Sequence, residues 1–445
     1  MGPTAGFPQP APGQERPRRR TAPGTTPPVF VPRAFAALSV APRGSAVRIG
    51  LVPALRNVLG IESRFRGPWV GNSSAGGGDD RGEKNGGTEA MNRDDYGTQL
   101  RLLEHCLLLT LEAFEAEFED LRFGELAASR QRLSTALDPL IPATRHGLEA
   151  LEPPPEDAEL HRHLLTAASR CEDAAQHWAR GGDATFLSGF LLCRQQVVEA
   201  LEQLYPHRAR LPVLGGYFGS GRTAASAGTG LITWDACEQH ESCKLHVPED
   251  YTEDRDWPLI VALHGASGSG REYLWTWQRL AAERGYLVLA PRSTDITWSV
   301  LQPPVDIASV TAAIDRALAE YRIDRRRVFL TGLSDGATFS YLLAFLAPEY
   351  FAGVAPIAGE LSQIAEPLLR RREGREVPLL VVHGARDHIF PIQTVRSTCG
   401  LLEHLGYDIR FTELPDWGHA YPYRIHRELV MPWFEALAGR APVFA

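Results

Sequence analysis

Apolar residues in the second half of the chain fall into short runs, separated by turn residues and by amphipathic segments. Seven runs have the length of a strand: Cys243–Val247, Leu259–Leu263, Tyr286–Ala290, Val328–Thr331, Gly353–Ile357, Leu379–Val382 and Ile409–Leu414. Strands that are buried on both faces have this near-continuous apolar character. Between two of the runs, Asp306 to Tyr321 has apolar residues at helical spacing behind an Asp N-cap. The alternation predicts an α/β domain whose mostly parallel sheet is covered on both faces.

Residues 97 to 206 have a different pattern, in which apolar positions recur every three or four residues. They begin with Leu100, Leu103, Leu107, Leu111, Phe114, Phe118 and Leu121, and continue in Leu126–Leu140, Leu160–Trp178 and Phe186–Tyr205. This spacing is typical of amphipathic helices, and a proline-rich turn at 152–156 separates two of them. We predict a bundle of about four helices. It would serve packing or dimerisation, or it would roof an active site or bind a protein partner.

The two patterns divide the chain into a helical bundle at 91–210, a linker at 211–242 and a catalytic domain at 243–445. The chain has 445 residues, 44% hydrophobic and 22% charged, which is enough for two globular units. Residues 1–90 have the Pro- and Gly-rich composition of a disordered segment.

The start of the chain is also unusual in its charge. The first 78 residues hold ten arginines and two glutamates, whereas the whole chain has a net charge of −8. Such a start would suit a transit-like or nucleic-acid-binding arm. The simpler hypothesis is that translation begins at Met91 and the preceding residues are a misassigned extension, so we expect no nucleic-acid partner. Peptides N-terminal to Met91 in the native protein would contradict it.

Neither a membrane segment nor a disulfide scaffold is predicted. The chain has no apolar run of 18 or more residues, and no signal-peptide pattern follows Met1 or Met91. We therefore expect a cytoplasmic location. Six cysteines are too few for a disulfide scaffold in a chain of this size, and Cys106, Cys171 and Cys193 fall on predicted helices as small buried hydrophobes.

Four potential metal ligands, Cys237, His240, Cys243 and His246, recur at intervals of three residues. A helix would place them on one face, but 243–247 has the pattern of a strand, which turns alternate side chains apart. Zinc binding here and a disulfide between Cys237 and Cys243 are therefore minor alternatives, and we predict no metal site.

The candidate chemistry begins at residues 328–345, where an apolar strand pattern, a Gly-x-Ser-x-Gly turn and an apolar helix pattern follow one another. This order is typical of a nucleophilic serine at a sharp strand-to-helix corner, here Ser334. Gly332 and Gly336 fit because a Cβ at either position would collide with the neighbouring strand or helix. The motif alone also suits an ordinary glycine turn, and it is the flanking elements that favour a nucleophile.

A serine hydroxyl needs a histidine base and a carboxylate that orients the base. Both should lie downstream, and we predict that His419 is the base and Asp387, at the end of a strand-like run, is the acid. Asp416 is the rival acid, but separate strand ends converge on a site more readily than one short loop does. His388 adjoins Asp387 and His383 ends a strand, so they are interpreted as a loop residue and a structural histidine.

Acyl transfer also needs donors for the oxyanion. Residues 257–270 form a buried strand pattern that runs into a glycine-rich loop, and we predict that the backbone N–H groups of Ala266 and Asp335 are the donors. Phosphate binding is disfavoured, because the loop lacks a Gly-Lys-Ser/Thr ending and a G-x-G-x-x-G pattern followed by a suitable acid. The Asp335 carboxylate would oppose an oxyanion unless its side chain turns away. Trp298 and Trp417, in loops after predicted strands, are candidate walls of a substrate pocket.

Four motifs together resemble a known family. They are His264-Gly265, Tyr321 to Gly336, His383 to Asp387 and Gly418-His419, and they span roughly the last 200 residues. They are similar to the phospholipase/carboxylesterase group of α/β-hydrolases and to the related poly(3-hydroxybutyrate) depolymerase-like and feruloyl esterase-like enzymes. The resemblance implies a triad of Ser334, Asp387 and His419, with an acyl-enzyme on the serine that water resolves.

We therefore predict a serine hydrolase that cleaves a small-molecule or lipid-like carboxylic ester without a cofactor. Only about 20 residues connect Ile357 to Leu379, where many lipases insert an apolar lid, which favours an esterase with an open site. One alternative is a peptidase or thioesterase that uses the same triad. Another is a catalytically silent platform whose helical domain binds a protein partner or a second copy of the chain.

Overall fold

The structure is a computed structural model that describes residues 84–122, 125–137, 140–180, 186–219, 228–234, 243–371 and 377–439. The predictions made for residues 1–83, Cys237 and His240 lie outside these ranges. No helix in the described ranges has both the length and the apolar character needed to cross a membrane.

The helices and strands follow in chain order. The α-helices are α1 (Lys84–Glu119), α2 (Leu126–Leu137), α3 (Leu140–Glu149), α4 (Ala158–Arg180), α5 (Phe186–Leu204), α6 (Pro212–Tyr217), α7 (Gly270–Arg284), α8 (Pro304–Glu320), α9 (Asp335–Leu346), α10 (Glu366–Arg371), α11 (Ile392–His404), α12 (Tyr423–Ile425) and α13 (Met431–Ala438). The strands are β1 (Gly230–Trp234), β2 (Cys243–Val247), β3 (Trp257–Leu263), β4 (Leu287–Ala290), β5 (Ile323–Leu333), β6 (Gly353–Ile357), β7 (Leu379–Gly384) and β8 (Ile409–Leu414). A π-helical turn, His426–Val430, joins α12 to α13.

The sheet has eight strands in the order β1-β2-β4-β3-β5-β6-β7-β8. Strands β3 to β8 pair with one another in parallel, while β1 and β2 add an antiparallel edge next to β4. The predicted mostly parallel α/β fold is therefore confirmed, with all seven predicted strands present. The carboxyl ends of parallel strands meet at one edge of the sheet, and functional side chains usually gather there.

The segment 211–242, interpreted as a linker, contains a helix and a strand. Helix α6 begins at Pro212, and β1 pairs with β2 from Gly230 to Trp234. This strand is short and lies at the edge of the sheet, with its three central residues only partly buried or exposed. Such an edge strand lacks the continuous apolar run by which the central strands were predicted.

Helices α1 to α5 form the predicted bundle, although the described part of 84–204 holds five α-helices where about four were expected. The first begins at Lys84, ahead of Met91. The apolar stripe of α1 is buried as predicted, and the rings of Phe118, Trp178 and Phe190 contact one another in the core of the bundle. Cys106, Cys171 and Cys193 are buried on helices, which confirms their prediction as small core residues. A short 3₁₀ turn occupies the predicted proline-rich connection.

The bundle packs against α7 of the sheet domain through ion pairs. Glu115 of α1 lies 3.1 Å from Arg279, and Glu202 of α5 pairs with Arg271. Helix α7 has its own capping signals, because the Ser269 hydroxyl accepts a hydrogen bond from the Glu272 N–H. Since α7 begins directly after β3, its first turn lies at the carboxyl edge of the sheet. The bundle therefore lies beside that edge.

Candidate active site

Ser334 occupies the corner between β5 and α9. Its backbone has φ 58° and ψ −122°, a conformation that non-glycine residues rarely adopt. A Cβ on Gly332 would overlap the Gly336 carbonyl, and a Cβ on Gly336 would overlap the carbonyls of Leu263 and His264. The two glycines therefore let the chain fold tightly, for the steric reason that the sequence suggested. The half-buried serine is raised above the sheet edge.

The structure brings the three predicted triad side chains together. His419 Nε2 lies 3.0 Å from Ser334 Oγ, and His419 Nδ1 lies 2.8 Å from Asp387 Oδ2. Each residue comes from a different connection at the carboxyl edge, after β5, β7 and β8 respectively. Both distances are within hydrogen-bond range, and the imidazole bridges the hydroxyl and the carboxylate. This is the arrangement in which a histidine can accept a serine proton.

Asp387 has a fixed environment. Its side chain is fully buried, and its Oδ1 accepts hydrogen bonds from the backbone N–H groups of Ile389 and Phe390 at 2.8 and 2.9 Å. Burial alone would raise the pKa of this carboxyl, but the hydrogen bond and charge of His419 and the Phe390 N–H hold it below the ordinary value. Asp387 is therefore ionised at neutral pH, with only Oδ2 turned toward the imidazole.

The rivals for these roles lie elsewhere. Asp416 is 76% exposed and forms a surface ion pair with Arg386 at 2.7 Å. His383 is buried, and its Nε2 lies 2.8 Å from the Phe390 carbonyl oxygen. His388 borders a cavity beside His419. In this structure, therefore, Asp387 is the carboxylate that lies within hydrogen-bond distance of His419 Nδ1.

The loop after β3 lies directly beside the nucleophile. A Cβ on Gly265 would lie 3.2 Å from Ser334 Cβ, so the backbone of the loop is in contact with the serine corner. Ala266 is the next residue, and Asp335 is the first residue of α9, where a helical N–H has no intrahelical acceptor. Ala266 and Asp335 therefore both lie next to Ser334, as donors to an oxyanion would have to. The role of their N–H groups stays a prediction.

His264 holds this loop as a neutral imidazole. Its Nδ1–H donates to the Gly265 carbonyl at 2.7 Å, and its Nε2 accepts from the Ser293 N–H at 3.1 Å. The Ser293 N–H can only donate, so protonation of Nε2 would break that bond. Burial lowers the pKa of His264 to about 4.

Acid is therefore expected to destabilise the protein between pH 6.5 and pH 4. In this window the histidine is protonated in the unfolded chain, whereas the buried His264 of the folded protein stays neutral. The free energy of unfolding therefore falls as the pH falls. From pH 7 to pH 5 this group alone should cost about 2 kcal/mol. Burial lowers the pKa of His246 to about 4 as well, which adds to the effect. Urea midpoints at the two pH values measure it, and equal midpoints would contradict the neutral assignment.

The Asp335 carboxylate is bonded to Thr297, in the connection after β4. Its Oδ2 accepts a hydrogen bond from Thr297 Oγ1 at 2.6 Å. The carboxylate is thus held by the connection after β4, and its orientation away from the oxyanion stays a prediction. Thr297 carried no sequence signal, because the two residues are 38 positions apart.

The two candidate pocket tryptophans serve mainly as packing and anchoring residues. Trp298 is 2% exposed, stacks on Phe339 at 5.3 Å, and donates its indole N–H to the His264 carbonyl at 2.8 Å. Trp417 is 6% exposed and donates its indole N–H to the Glu119 carbonyl of α1 at 3.2 Å. Neither ring therefore offers a broad open surface in this structure, and a substrate-contacting role for them stays a prediction.

A cavity of about 370 Å³ opens beside His419, between the bundle and the sheet domain. Its described lining residues are Leu121, Arg122, Glu125, Arg386, His388, Gly418 and His419. The first three belong to the bundle and the others to the loops after β7 and β8. Sequence reasoning left a roofing role for the bundle open but identified none of these bundle residues, because nothing local in α1 marks its end as part of a site.

Within the described residues, no three His, Cys, Asp or Glu side chains are grouped as a metal site. Of the four potential ligands with a spacing of three, the structure describes Cys243 and His246, which lie on β2. His246 is fully buried and Cys243 is partly buried. The proposed pairing with Cys237 lies outside the described residues.

The sheet topology and the serine corner define the class of fold: the chain has an α/β-hydrolase fold. The model of the phospholipase/carboxylesterase family matches residues 305–429, a segment that contains Ser334, Asp387 and His419. This match confirms the resemblance drawn from the sequence motifs.

Curated relatives carry related names. A bifunctional acetylxylan esterase/xylanase of Neocallimastix patriciarum is 30% identical over 164 residues, which cover 36% of this chain and 24% of that protein. Poly(3-hydroxyalkanoate) depolymerase C of Paucimonas lemoignei is 31% identical over 126 residues, covering 26% of this chain and 30% of that protein. A probable feruloyl esterase C of Aspergillus terreus is 27% identical, covering 33% of this chain and 55% of that protein. The chain thus spans well under two thirds of the length of each.

Among solved structures, an acetyl xylan esterase from Aspergillus awamori is similar at 19% identity with a TM-score of 0.40. The similarity covers 46% of this chain and 99% of that chain.

Proposed function

We propose that this protein is a serine hydrolase that cleaves carboxylic esters. The observation that carries the proposal is the hydrogen-bonded series Ser334, His419 and Asp387, with its links of 3.0 and 2.8 Å, at the carboxyl edge of the sheet. The esterase and depolymerase names of the relatives support the same reaction class. The second substrate of the proposed reaction is water.

The mechanism follows from the geometry. Ser334 Oγ attacks the ester carbonyl carbon while His419 Nε2 accepts its proton, and the ionised Asp387 stabilises the imidazolium. The carbonyl oxygen becomes an oxyanion that accepts hydrogen bonds from the backbone N–H groups of Ala266 and Asp335. His419 then gives the proton to the leaving alkoxide, which leaves an acyl group on Ser334. Water attacks this acyl-enzyme with His419 again as base and releases the carboxylic acid.

Covalent labelling combined with a substrate panel tests the proposal. Intact-mass analysis after fluorophosphonate treatment should show one adduct on the wild-type chain and none on Ser334→Ala. Matched acyl esters, thioesters and peptides should then be hydrolysed in that order of kcat/KM. Faster thioester or peptide cleavage would move the assignment to a thioesterase or peptidase. A folded wild-type protein that takes no label and cleaves nothing would contradict the proposal and favour a binding platform.

Exposed apolar side chains follow the strand ends at the edge that carries the proposed site, and they favour an ester with an apolar acyl or alcohol group. Ile296 and Leu301 are 69% and 82% exposed in the connection after β4, and Ile389 is exposed after β7. Val305 and Ile364 are also exposed, in the first turn of α8 and after β6. Ile296 is tied to the loop of Ala266, because its carbonyl accepts the Ser267 N–H at 2.8 Å. All five follow carboxyl ends of parallel strands, the edge that also carries Ser334.

Leu301→Asp is expected to lower kcat/KM for p-nitrophenyl octanoate about tenfold. It should change kcat/KM for p-nitrophenyl acetate less than about twofold. The reason is that a partly buried contact with the longer chain would be lost. Leu346→Asp is the matched control, since Leu346 is also exposed but lies at the far end of α9, about 18 Å along the helix from Ser334. Equal losses for both esters, or an equal loss in the control, would contradict an apolar rim.

A further inference from the structure

The loop that carries His419 is attached on both sides to the end of bundle helix α1. We call residues 415–422 the histidine loop. Before the histidine, the Trp417 indole N–H donates to the Glu119 carbonyl at 3.2 Å. After it, the Tyr421 N–H donates to the Phe118 carbonyl at 3.0 Å. The Arg424 N–H, just beyond the loop, donates to the Glu119 carboxylate at 2.7 Å.

These bonds satisfy groups that a helix cannot satisfy by itself. The last four carbonyls of a helix have no intrahelical N–H partner. In α1, which ends at Glu119, the Phe118 and Glu119 carbonyls belong to this set and take their donors from the histidine loop. The loop in turn is short and has no strand or helix of its own to fix it. Each element therefore completes the hydrogen bonding of the other.

Side chains of the bundle also enclose the loop. The guanidinium of Arg194 from α5 stacks over the Tyr421 ring at 3.6 Å, and the ring of Phe190 lies 5.8 Å from it. Arg194 is itself buried and lies 3.5 Å from Glu272 at the start of α7. At Gly418, a Cβ would lie 3.2 Å from the Leu121 carbonyl oxygen, which shows how closely the chains approach. The contact is therefore a packed interface as well as a set of hydrogen bonds.

We propose that the end of α1 positions the catalytic histidine, and that Glu119 and Trp417 are positioning residues for the esterase reaction. This inference rests on the proposed function, since it concerns how His419 is held against Ser334. On the sheet-domain side, Asp387 binds one edge of the imidazole and the Arg386 N–H donates to the Trp417 carbonyl at 3.0 Å. The bundle adds a restraint through the Trp417 indole and the Tyr421 backbone N–H, two positions on each side of His419. A small displacement of a base can cost about 100-fold in rate, so this restraint bears directly on kcat.

Two substitutions remove one bond each from opposite sides of the histidine. Glu119→Ala removes the acceptor of the Arg424 N–H, and Trp417→Phe removes the indole donor while keeping an aromatic ring. Each is expected to lower kcat about tenfold with KM within about twofold, because ester binding to the rest of the site is unchanged. Glu119→Gln keeps an acceptor oxygen for the Arg424 N–H, so it should restore most of kcat. Asp120→Asn is the matched control, since Asp120 is exposed one residue further along.

Fluorophosphonate labelling separates positioning from simple loss of folded protein. With a misplaced base, every molecule is eventually labelled but the labelling rate falls in parallel with kcat. With partial unfolding, the labelled end point falls while the labelled molecules react at the wild-type rate. Circular dichroism and the thermal midpoint, recorded on the full chain, identify any variant that does not fold. Trp417→Phe then carries the test if Glu119→Ala fails to fold.

The outcomes are distinct. Slow but complete labelling in both variants, with rescue by Glu119→Gln, would support the inference. Wild-type kcat and labelling rate in both folded variants would overturn it and leave the esterase function intact. A reduced end point without a reduced rate would overturn it in favour of a purely structural contact. If the wild-type chain neither takes the label nor hydrolyses esters, the proposed function fails, and the inference fails with it.

Discussion

Replacing Ser334 with alanine is expected to lower kcat for a carboxylic ester by about 10⁴- to 10⁶-fold and to abolish fluorophosphonate labelling. Without Oγ there is no acyl-enzyme, and only oxyanion stabilisation and substrate binding remain. Alanine has a Cβ as serine does, so it can adopt the same φ of 58° at the corner. The serine side chain makes no helix-capping bond that the substitution would remove. Substrate binding and the thermal midpoint should therefore change little.

Steady-state hydrolysis, equilibrium binding of a non-hydrolysable analogue and intact-mass labelling measure these expectations. Ser362→Ala is a suitable control, because Ser362 is a half-buried serine in the loop after β6, at the same edge of the sheet. It should keep wild-type kcat. Hydrolysis that survives in Ser334→Ala at more than about one hundredth of the wild-type rate would exclude Ser334 as the nucleophile.

The strands were predictable because their burial leaves a local trace. Every residue of β3, β6 and β7 is buried, so each of these strands is a nearly continuous apolar run in the sequence. The serine corner was predictable for a different reason, since the Gly-x-Ser-x-Gly spacing reflects a steric need within five residues. In both cases the physical cause acts over a short stretch of chain.

Contacts between distant elements left no such trace. Trp417 was taken as a candidate pocket wall from its place in a loop, but the acceptor of its indole N–H lies 298 residues away on α1. Likewise, nothing near Asp335 in the sequence indicates that the Thr297 hydroxyl donates a hydrogen bond to its carboxylate. The direction in which a loop side chain turns depends on packing between elements. A single sequence gives the identity of each residue but not how distant elements pack together.

The choice between the two candidate acids, Asp387 and Asp416, also depended on packing that the sequence does not show. The structure allows the two residues to be compared directly. Asp387 and Asp416 both precede His419 and both lie at the carboxyl edge, and the choice between them was argued from topology. In the structure Asp387 is buried against the imidazole, while Asp416 pairs with Arg386 at the surface. Identical substitutions at the two positions should therefore have very different effects.

Asp387→Asn is expected to lower kcat by about 10⁴-fold, and Asp416→Asn to leave it within about twofold. Asp387 Oδ1 receives the N–H groups of Ile389 and Phe390, so the amide oxygen of an asparagine must stay there and its NH₂ must face His419. That NH₂ would donate to Nδ1 and leave the proton on Nε2, the nitrogen that has to accept the proton of Ser334. The pH profile of kcat/KM for the two variants checks the result. A large loss in Asp416→Asn with activity kept in Asp387→Asn would reassign the acid and, with it, the orientation of the histidine.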